Sequence, residues 1–377
     1  MSRLLSPTLA AALLAPVALA DVAGKPLPAT TSTPKVYVIP MNGQMGTDIS
    51  KQPYEDIIED ARKVKPDIVV FVLDSADIDN NFYLKNDDSK EFGIVKLDEY
   101  RDLIKMLRER IDAPQVMWVH DSVGFGSLMA LSWSDMYMKS DARLWGLSRV
   151  ADVAKGWSDP DVAAKMMAAW TGIGKGFLQQ GGYPIALGDA MMTPTNKLSA
   201  DWEGRVVKWA DDTEGQWVVD SSDKSTANFS APLAEDTGLC DGLADSLDDL
   251  MFLLGYREYQ KLDSGEKKFE QYKEDWRRMF DRCKEWMIDA ETSDGGVKGL
   301  GQTKSAYEKV VGAMKQYPAI EQRFRMEGLP GRLQLEIEIE RIKEAIRGAK
   351  SAGGSAGGRG GRGGGMGSPG GGGPGAR

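Results

Sequence analysis

The apolar run Val36-Tyr37-Val38-Ile39 is followed by a longer one, Ile68-Val69-Val70-Phe71-Val72-Leu73, and neither alternates with polar residues. Continuous runs of this length predict strands covered on both faces, as in a parallel sheet. Between them Ile57, Ile58, Ala61 and Val64 share one face of a helix over residues 54–64, with Pro53 at its start and Pro66 after its end. The unit is β-α-β, for which a right-handed crossover is expected. It repeats: Leu97, Tyr100, Leu103, Ile104, Leu107 and Ile111 are spaced for a helix, and Val116-Met117-Trp118-Val119 reads as the next strand.

A glycine-containing turn over residues 120–126 leads to a helix over 127–134. Short strands are expected at 136–138 and 144–146, and an amphipathic helix at 161–170. Residues 205–209 and 216–219 form a hairpin signal. Residues 233–255 read as a helix, a stop at Gly238, a short strand and a second helix. From Arg257 the pattern changes to a highly charged helix with an aromatic seam (Tyr259, Phe269, Tyr272, Trp276, Phe280, Trp286). Helices at 305–314 and 334–346 follow, broken by Pro318 and by Gly328-Leu329-Pro330-Gly331. Such helices cannot bury their faces alone.

The predicted class is therefore α/β: repeated β-α-β units with a mostly parallel sheet, then a C-terminal helical region. The start, MSRLLSPTLAAALLAPVALA, has one basic residue, a short apolar stretch and small residues before Asp21, which reads as a cleavable signal peptide over residues 1–20. Residues 21–34 are a Pro/Thr/Ala linker, 35–256 the sheet domain, 257–349 the charged helical region, and 350–377 a glycine-rich flexible tail. No later stretch is apolar for long enough to span a membrane, so a secreted or periplasmic protein with no stable span after cleavage is expected.

Composition narrows the chemistry. The 377 residues are 42% hydrophobic and 27% charged, enough for a sizeable core. The net charge is −9, and residues 21–349 are more acidic still, because residues 1–20 and 350–377 carry charge only as cations. An acidic body argues against nucleic acid, which needs clustered Lys and Arg. The two Arg-Gly-Gly steps of the tail, without interleaved aromatics, do not change that. Cys240 and Cys283 could form a disulfide in an oxidising compartment; with no ligand company near either, no metal or other cofactor is expected.

The stretches KVYVIPMNGQMG, DIVVFVLDSADID and APQVMWVHDSVGFGSLMALSWSDMYMKSDARLWG, in this order, resemble the ClpP/crotonase superfamily, in particular signal peptide peptidase A and the NfeD-type membrane serine proteases. The resemblance covers residues 35–256. It implies an oxyanion loop of two glycines after the second strand and a serine nucleophile, served by a lysine, at the turn after the third. Aligned to those motifs, Asp77 and Ile78 occupy the glycine positions and Phe125 occupies the nucleophile slot. Both losses imply a degenerate peptidase that keeps its cleft as a binding or assembly surface for peptide or protein segments. Self-association into a homo-oligomer would run through the C-terminal helices.

The alternative is an active envelope endopeptidase with a displaced nucleophile, Ser127 or Ser122, and a base such as Lys155 or Lys165. Ser127 serves equally well as a helix N-cap. His120, the one histidine, lies beside Asp121 and Ser122, but adjacent strand residues face opposite ways, so a structural or solvent-facing role is expected. A crotonase-like acyl-CoA enzyme ranks last, for want of oxyanion glycines. Asp74, Asp77 and Asp79 read as a solvated acidic loop, and Gly172-x-Gly174-x-Gly176 as a flexible hinge.

Overall fold

The computed structural model describes residues 25–29, 33–75, 92–145, 159–193, 195–222, 224–294 and 296–356. Residues 1–24, and with them the predicted signal peptide, lie outside the described residues, as do Asp77, Ile78, Asp79 and Lys155. The chain divides into two compact units, up to Trp276 and from Arg277 onward.

In the first unit the chain runs β1 (Lys35–Asn42), α1 (Lys51–Val64), β2 (Ile68–Asp74), α2 (Phe92–Arg110), β3 (Gln115–Val123), α3 (Phe125–Ala130), β4 (Met136–Met138) and β5 (Arg143–Trp145). It continues with α4 (Pro160–Gly181), α5 (Ile185–Met192), β6 (Leu198–Glu203), β7 (Val206–Ala210), β8 (Trp217–Asp220) and β9 (Asn228–Ser230). Then come α6 (Ala231–Asp236), α7 (Leu247–Leu253), β10 (Gln260–Leu262) and α8 (Ser264–Glu291), the last of which passes the division between the units.

Among the described residues the main sheet has the order β10-β1-β2-β3-β5-β9, with β4 also on β3. All its pairings are parallel except β5 with β9. The mixed α/β class with a mostly parallel sheet and a C-terminal helical region is thus the one the apolar runs imply. Val36, Ile68, Val70 and Val116 fill one face of the sheet against α7, and Ile39, Phe71, Met117 and Val119 fill the other against α1 and α2. Burial of both faces is what continuous rather than alternating apolar runs produce. α1 ends where Lys65 adopts a left-handed conformation (φ 49°) and donates its N–H to Ala61, immediately before Pro66.

Several local expectations are corrected. The predicted hairpin does not form: β7 and β8 do not pair with each other but flank β6, antiparallel on both sides, in the order β7-β6-β8. Leu198-Ser-Ala-Asp-Trp-Glu supplied too short an alternation to reveal the central strand. The Gly172/Gly174/Gly176 segment is no hinge, because α4 runs through it for 22 residues. Gly174 is there for close packing: a Cβ would fall well inside contact with the Met192 thioether of α5, whereas Gly172 and Gly176 face open space. Asp159 caps this helix by accepting from the N–H of Asp161 (2.9 Å), with Pro160 in the first turn. The helix after the third strand begins earlier and ends sooner than residues 127–134, as α3 shows.

The sheet also reaches past Tyr256 for an edge strand, since β10 pairs with β1 in the register Lys35↔Gln260. The stop at Gly238 (φ 64°) and the helix after it hold, and α7 carries a capping box between Ser246 and Asp249.

The second unit contains α9 (Val297–Gln316), α10 (Pro318–Met326) and α11 (Arg332–Ala356). Pro318 starts a helix instead of only ending one. Phe280 and Phe324 meet edge to face at 5.6 Å, and α11 lays Leu335, Ile339 and Ile342 on its buried side next to α9. α11 continues to Ala356, past the point where the tail composition begins. No helix among the described residues is long and apolar enough to cross a membrane.

Candidate functional site at the carboxyl ends of the strands

Parallel strands deliver their carboxyl ends to one edge of the sheet, where ligand sites of open α/β folds gather. Three chain segments meet there: the loop Gly43–Ser50 after β1, Ser75 after β2, and the Ser122–Ser127 turn after β3.

The third strand enters this edge with a slip. Leu73 pairs with Val119 but Asp74 pairs with Asp121, so one residue is skipped. Ser75 then donates its N–H to the Asp121 carbonyl (3.0 Å). Its hydroxyl lies 3.1 Å from that of Ser122, and Ser127 donates to the same Ser122 oxygen at 3.3 Å. Ser122 and Ser127 are 0% exposed and Ser75 1%. Gly126 closes the cluster, because a Cβ there would overlap the hydroxyls of Ser75 and Ser122.

Ser127 therefore is not the N-cap, and its hydroxyl is buried against Ser122. The N-cap position belongs to Gly124, which has no side chain to cap with, and Ser127 sits inside the first turn with its hydroxyl turned back to the strand. Among the described residues, no lysine bonds to Ser122 or Ser127. Lys165 is exposed on α4. Phe125 contributes the backbone that opens α3; its ring, like Asp77, Ile78 and Lys155, is outside what the structure describes.

Among the described residues His120 bonds to no serine. Its ring stands edge-on to Trp118 at 4.2 Å, and burial, followed by repulsion from Lys139, lowers its pKa to about 4. Its Nε2 is buried with no hydrogen-bond partner among the described residues. Beside it, the Asp121 carboxylate is consumed by Arg143: Nε donates at 3.1 Å to both oxygens, Nη2 at 2.5 Å and the backbone N–H at 2.9 Å. That pairing holds the Arg143 guanidinium pKa above its ordinary value, and the same cation lies 4.9 Å over the Trp145 ring.

The loop after β1 holds a second polar group that sequence reading missed. Gly43 and Gly46 both take positive φ (99° and 87°), folding Gly43–Ser50 back on itself. Asp48 is 1% exposed; it accepts from the Gln44 N–H at 2.9 Å and from the Trp276 indole at 3.2 Å. Thr47 donates to the Gln44 side chain at 2.9 Å, and Lys273 donates to Asn42 at 2.8 Å. The readable signal was two glycines three apart between an apolar strand and a helix, followed by an aspartate. Asp74, by contrast, is exposed at the end of β2, as the acidic-loop reading expected of it.

Cys240 and Cys283 are both buried free thiols, with burial raising each pKa to about 12. No group of three metal-ligating side chains exists among the described residues.

No family model matches the chain, and no curated protein matches it. Among solved structures it is similar to two forms of the 1510-N membrane-bound stomatin-specific protease. For the form in complex with a substrate peptide, identity is 12% and TM-score 0.38, over 59% of this chain and 80% of that one. The other form gives 12% and 0.38 over 61% and 98%. A peptidase from Plasmodium falciparum is similar at 9% identity and TM-score 0.35, over 55% of this chain and 96% of that one.

Proposed function

We propose that this chain is an exported, ClpP-class serine-peptidase-like protein that has lost hydrolytic chemistry and acts as a binding or assembly scaffold for peptide or protein segments. One observation carries the reading. The two serines that could replace the missing nucleophile, Ser122 and Ser127, are buried and hydrogen-bonded into a hydroxyl cluster with Ser75, with no lysine as partner among the described residues. A serine nucleophile needs a base within hydrogen-bond reach and an open approach for the carbonyl. The sequence adds Phe125 at the nucleophile position and Asp77-Ile78 where amide-presenting glycines are needed.

The test is a serine-reactive fluorophosphonate applied to the native chain beside a fluorescent unfolded polypeptide. The expected result is no stoichiometric label, with the polypeptide bound and recovered intact. Label that disappears in Ser127→Ala or Ser122→Ala, accompanied by cleavage, would establish the active endopeptidase instead. Export is checked by the mass of the mature chain, which should begin at Asp21.

A further inference from the structure

We propose that the cavity at the amino ends of β3 and β4 binds a small aliphatic α-amino acid as its zwitterion. The cavity lies at the edge of the sheet opposite the serine cluster. The inference therefore goes beyond the reading above and stands or falls independently of it.

The cavity measures about 140 Å³. An apolar cavity of about 150 Å³ holds one benzene, so this one has room for roughly six to eight non-hydrogen atoms, the range from alanine to valine. Its base is apolar and fixed. Ile111, Ala113 and Trp133, which line it, are buried. The Trp133 indole donates to Gln115 Oε1 at 2.9 Å, and Gln115 Nε2 donates in turn to the Leu107 carbonyl at 3.0 Å. Those polar atoms are spent on the chain, so the surface that Trp133, Ile111 and Ala113 offer a ligand is hydrocarbon.

The rim, by contrast, carries charges of both signs. Arg108, half-buried on α2, donates to the Ser132 carbonyl, and no carboxylate bonds to it among the described residues. Burial lowers its guanidinium pKa, a cost that a carboxylate held by two parallel N–H donors would offset. Lys25 adds a second cation to the rim. Its partner Asp112, at 2.7 Å, is a fully exposed side chain, and so open a pair neutralises little of the charge.

Asp135 is the opposite pole. Half-buried just before β4, it accepts from the Ser134 hydroxyl at 3.1 Å and pairs with no cation among the described residues. Burial first, and then repulsion from Asp135, raises the pKa of the Asp241 carboxyl, so an ammonium group brought here enters a negative field. A simple anion would answer Arg108 and be repelled by Asp135; a simple amine would do the reverse. A molecule that carries carboxylate and ammonium on one carbon answers both poles. Its short side chain is left for the hydrocarbon base.

Titration calorimetry of the full chain with L-alanine is expected to show one site with a dissociation constant on the order of 100 μM. L-Lactate replaces the ammonium by a hydroxyl, and L-alaninamide removes the carboxylate charge, both at nearly constant size. Each should bind about tenfold more weakly. Asp135→Asn should weaken L-alanine about tenfold without weakening L-lactate, and Arg108→Gln should weaken L-alanine about tenfold without weakening L-alaninamide. A purely structural role for either residue would not produce this crossed pattern. Circular dichroism establishes that the variants are folded. If Arg108→Gln does not fold, Asp135→Asn decides alone, since among the described residues its side chain bonds only to Ser134.

The absence of binding at about 10 mM L-alanine overturns the proposal. So does L-lactate that binds as tightly as L-alanine, which would make this an anion site, or L-alanine affinity indifferent to Asp135→Asn. Fluorophosphonate labelling reads the opposite edge of the sheet, so failure here leaves the degenerate-peptidase reading standing, and the reverse.

Discussion

Two polar groups at the same edge of the sheet solve the same problem differently. The loop after β1 buries a carboxylate, Asp48, and satisfies it from outside with the Trp276 indole and from within with the Gln44 N–H. The turn after β3 buries the hydroxyls of Ser122 and Ser127 against that of Ser75 after β2, and Ser122 bonds to both of the others. A catalytic edge in an α/β protein keeps polar atoms in reserve for a ligand. Both groups here hold the chain in place: the first ties helix α8 to the loop after β1, and the second joins the ends of β2 and β3. The difference teaches that a buried polar group can be satisfied from a helix far along the chain or from its immediate neighbours.

The largest way to break this comparison is Asp48→Ala. Removing the acceptor leaves the Gln44 N–H and the Trp276 indole buried without it, and a loss of about 3 kcal/mol in urea unfolding is expected. If the loop were a ligand site instead of a structural tie, the variant would be nearly as stable as the parent.

Gly126→Ala comes next. The added methyl would collide with Ser75 and Ser122, costing about 2–3 kcal/mol. Combined with Ser75→Ala, the loss should fall short of the sum of the two single changes, because the main obstacle has been removed. Strict additivity would mean that the hydroxyl cluster is not packed as described.

His120 gives a smaller, pH-dependent effect. Its folded pKa of about 4 is below the ordinary 6.5, so the unfolded chain takes up the proton first as pH falls. Stability is complete above pH 6.5 and declines between pH 6.5 and 4. After allowance for the partial exposure of the ring, the decline is about 1–2 kcal/mol. His120→Gln should flatten that part of the stability curve. The smallest change is Ser127→Ala, expected to cost about 1 kcal/mol with no change in peptide binding. If peptide cleavage existed and vanished in this variant, the contrast between the two groups would collapse.

The sheet was legible because its apolar runs lack alternation: Val36–Ile39, Ile68–Leu73 and Val116–Val119 each predict the strand that forms. β6 was not, since Leu198–Glu203 alternates over too few residues and its partners lie on both sides in sequence. The glycines of α4 misled because their effect on a helix depends on what approaches them. Only the packing of Met192 against Gly174 distinguishes a contact from a hinge.

Of the site, Ser122 and Ser127 were identifiable by type and position, but their burial was not. It follows from a one-residue slip between β2 and β3 that no local pattern announces. Asp48 was missed for the same kind of reason: its partner Trp276 is far away along the chain, on a helix that read as a separate region.

The pairing of β10 with β1 has a consequence for how the molecule is made. During synthesis β1 keeps one open edge until Gln260 has emerged to zip onto Lys35. During that interval an exposed row of amides and carbonyls invites partners from other chains. Nascent or truncated chains ending before residue 260 should therefore be recovered as aggregates instead of a smaller soluble protein, and holdase capture during synthesis should be strongest in that window.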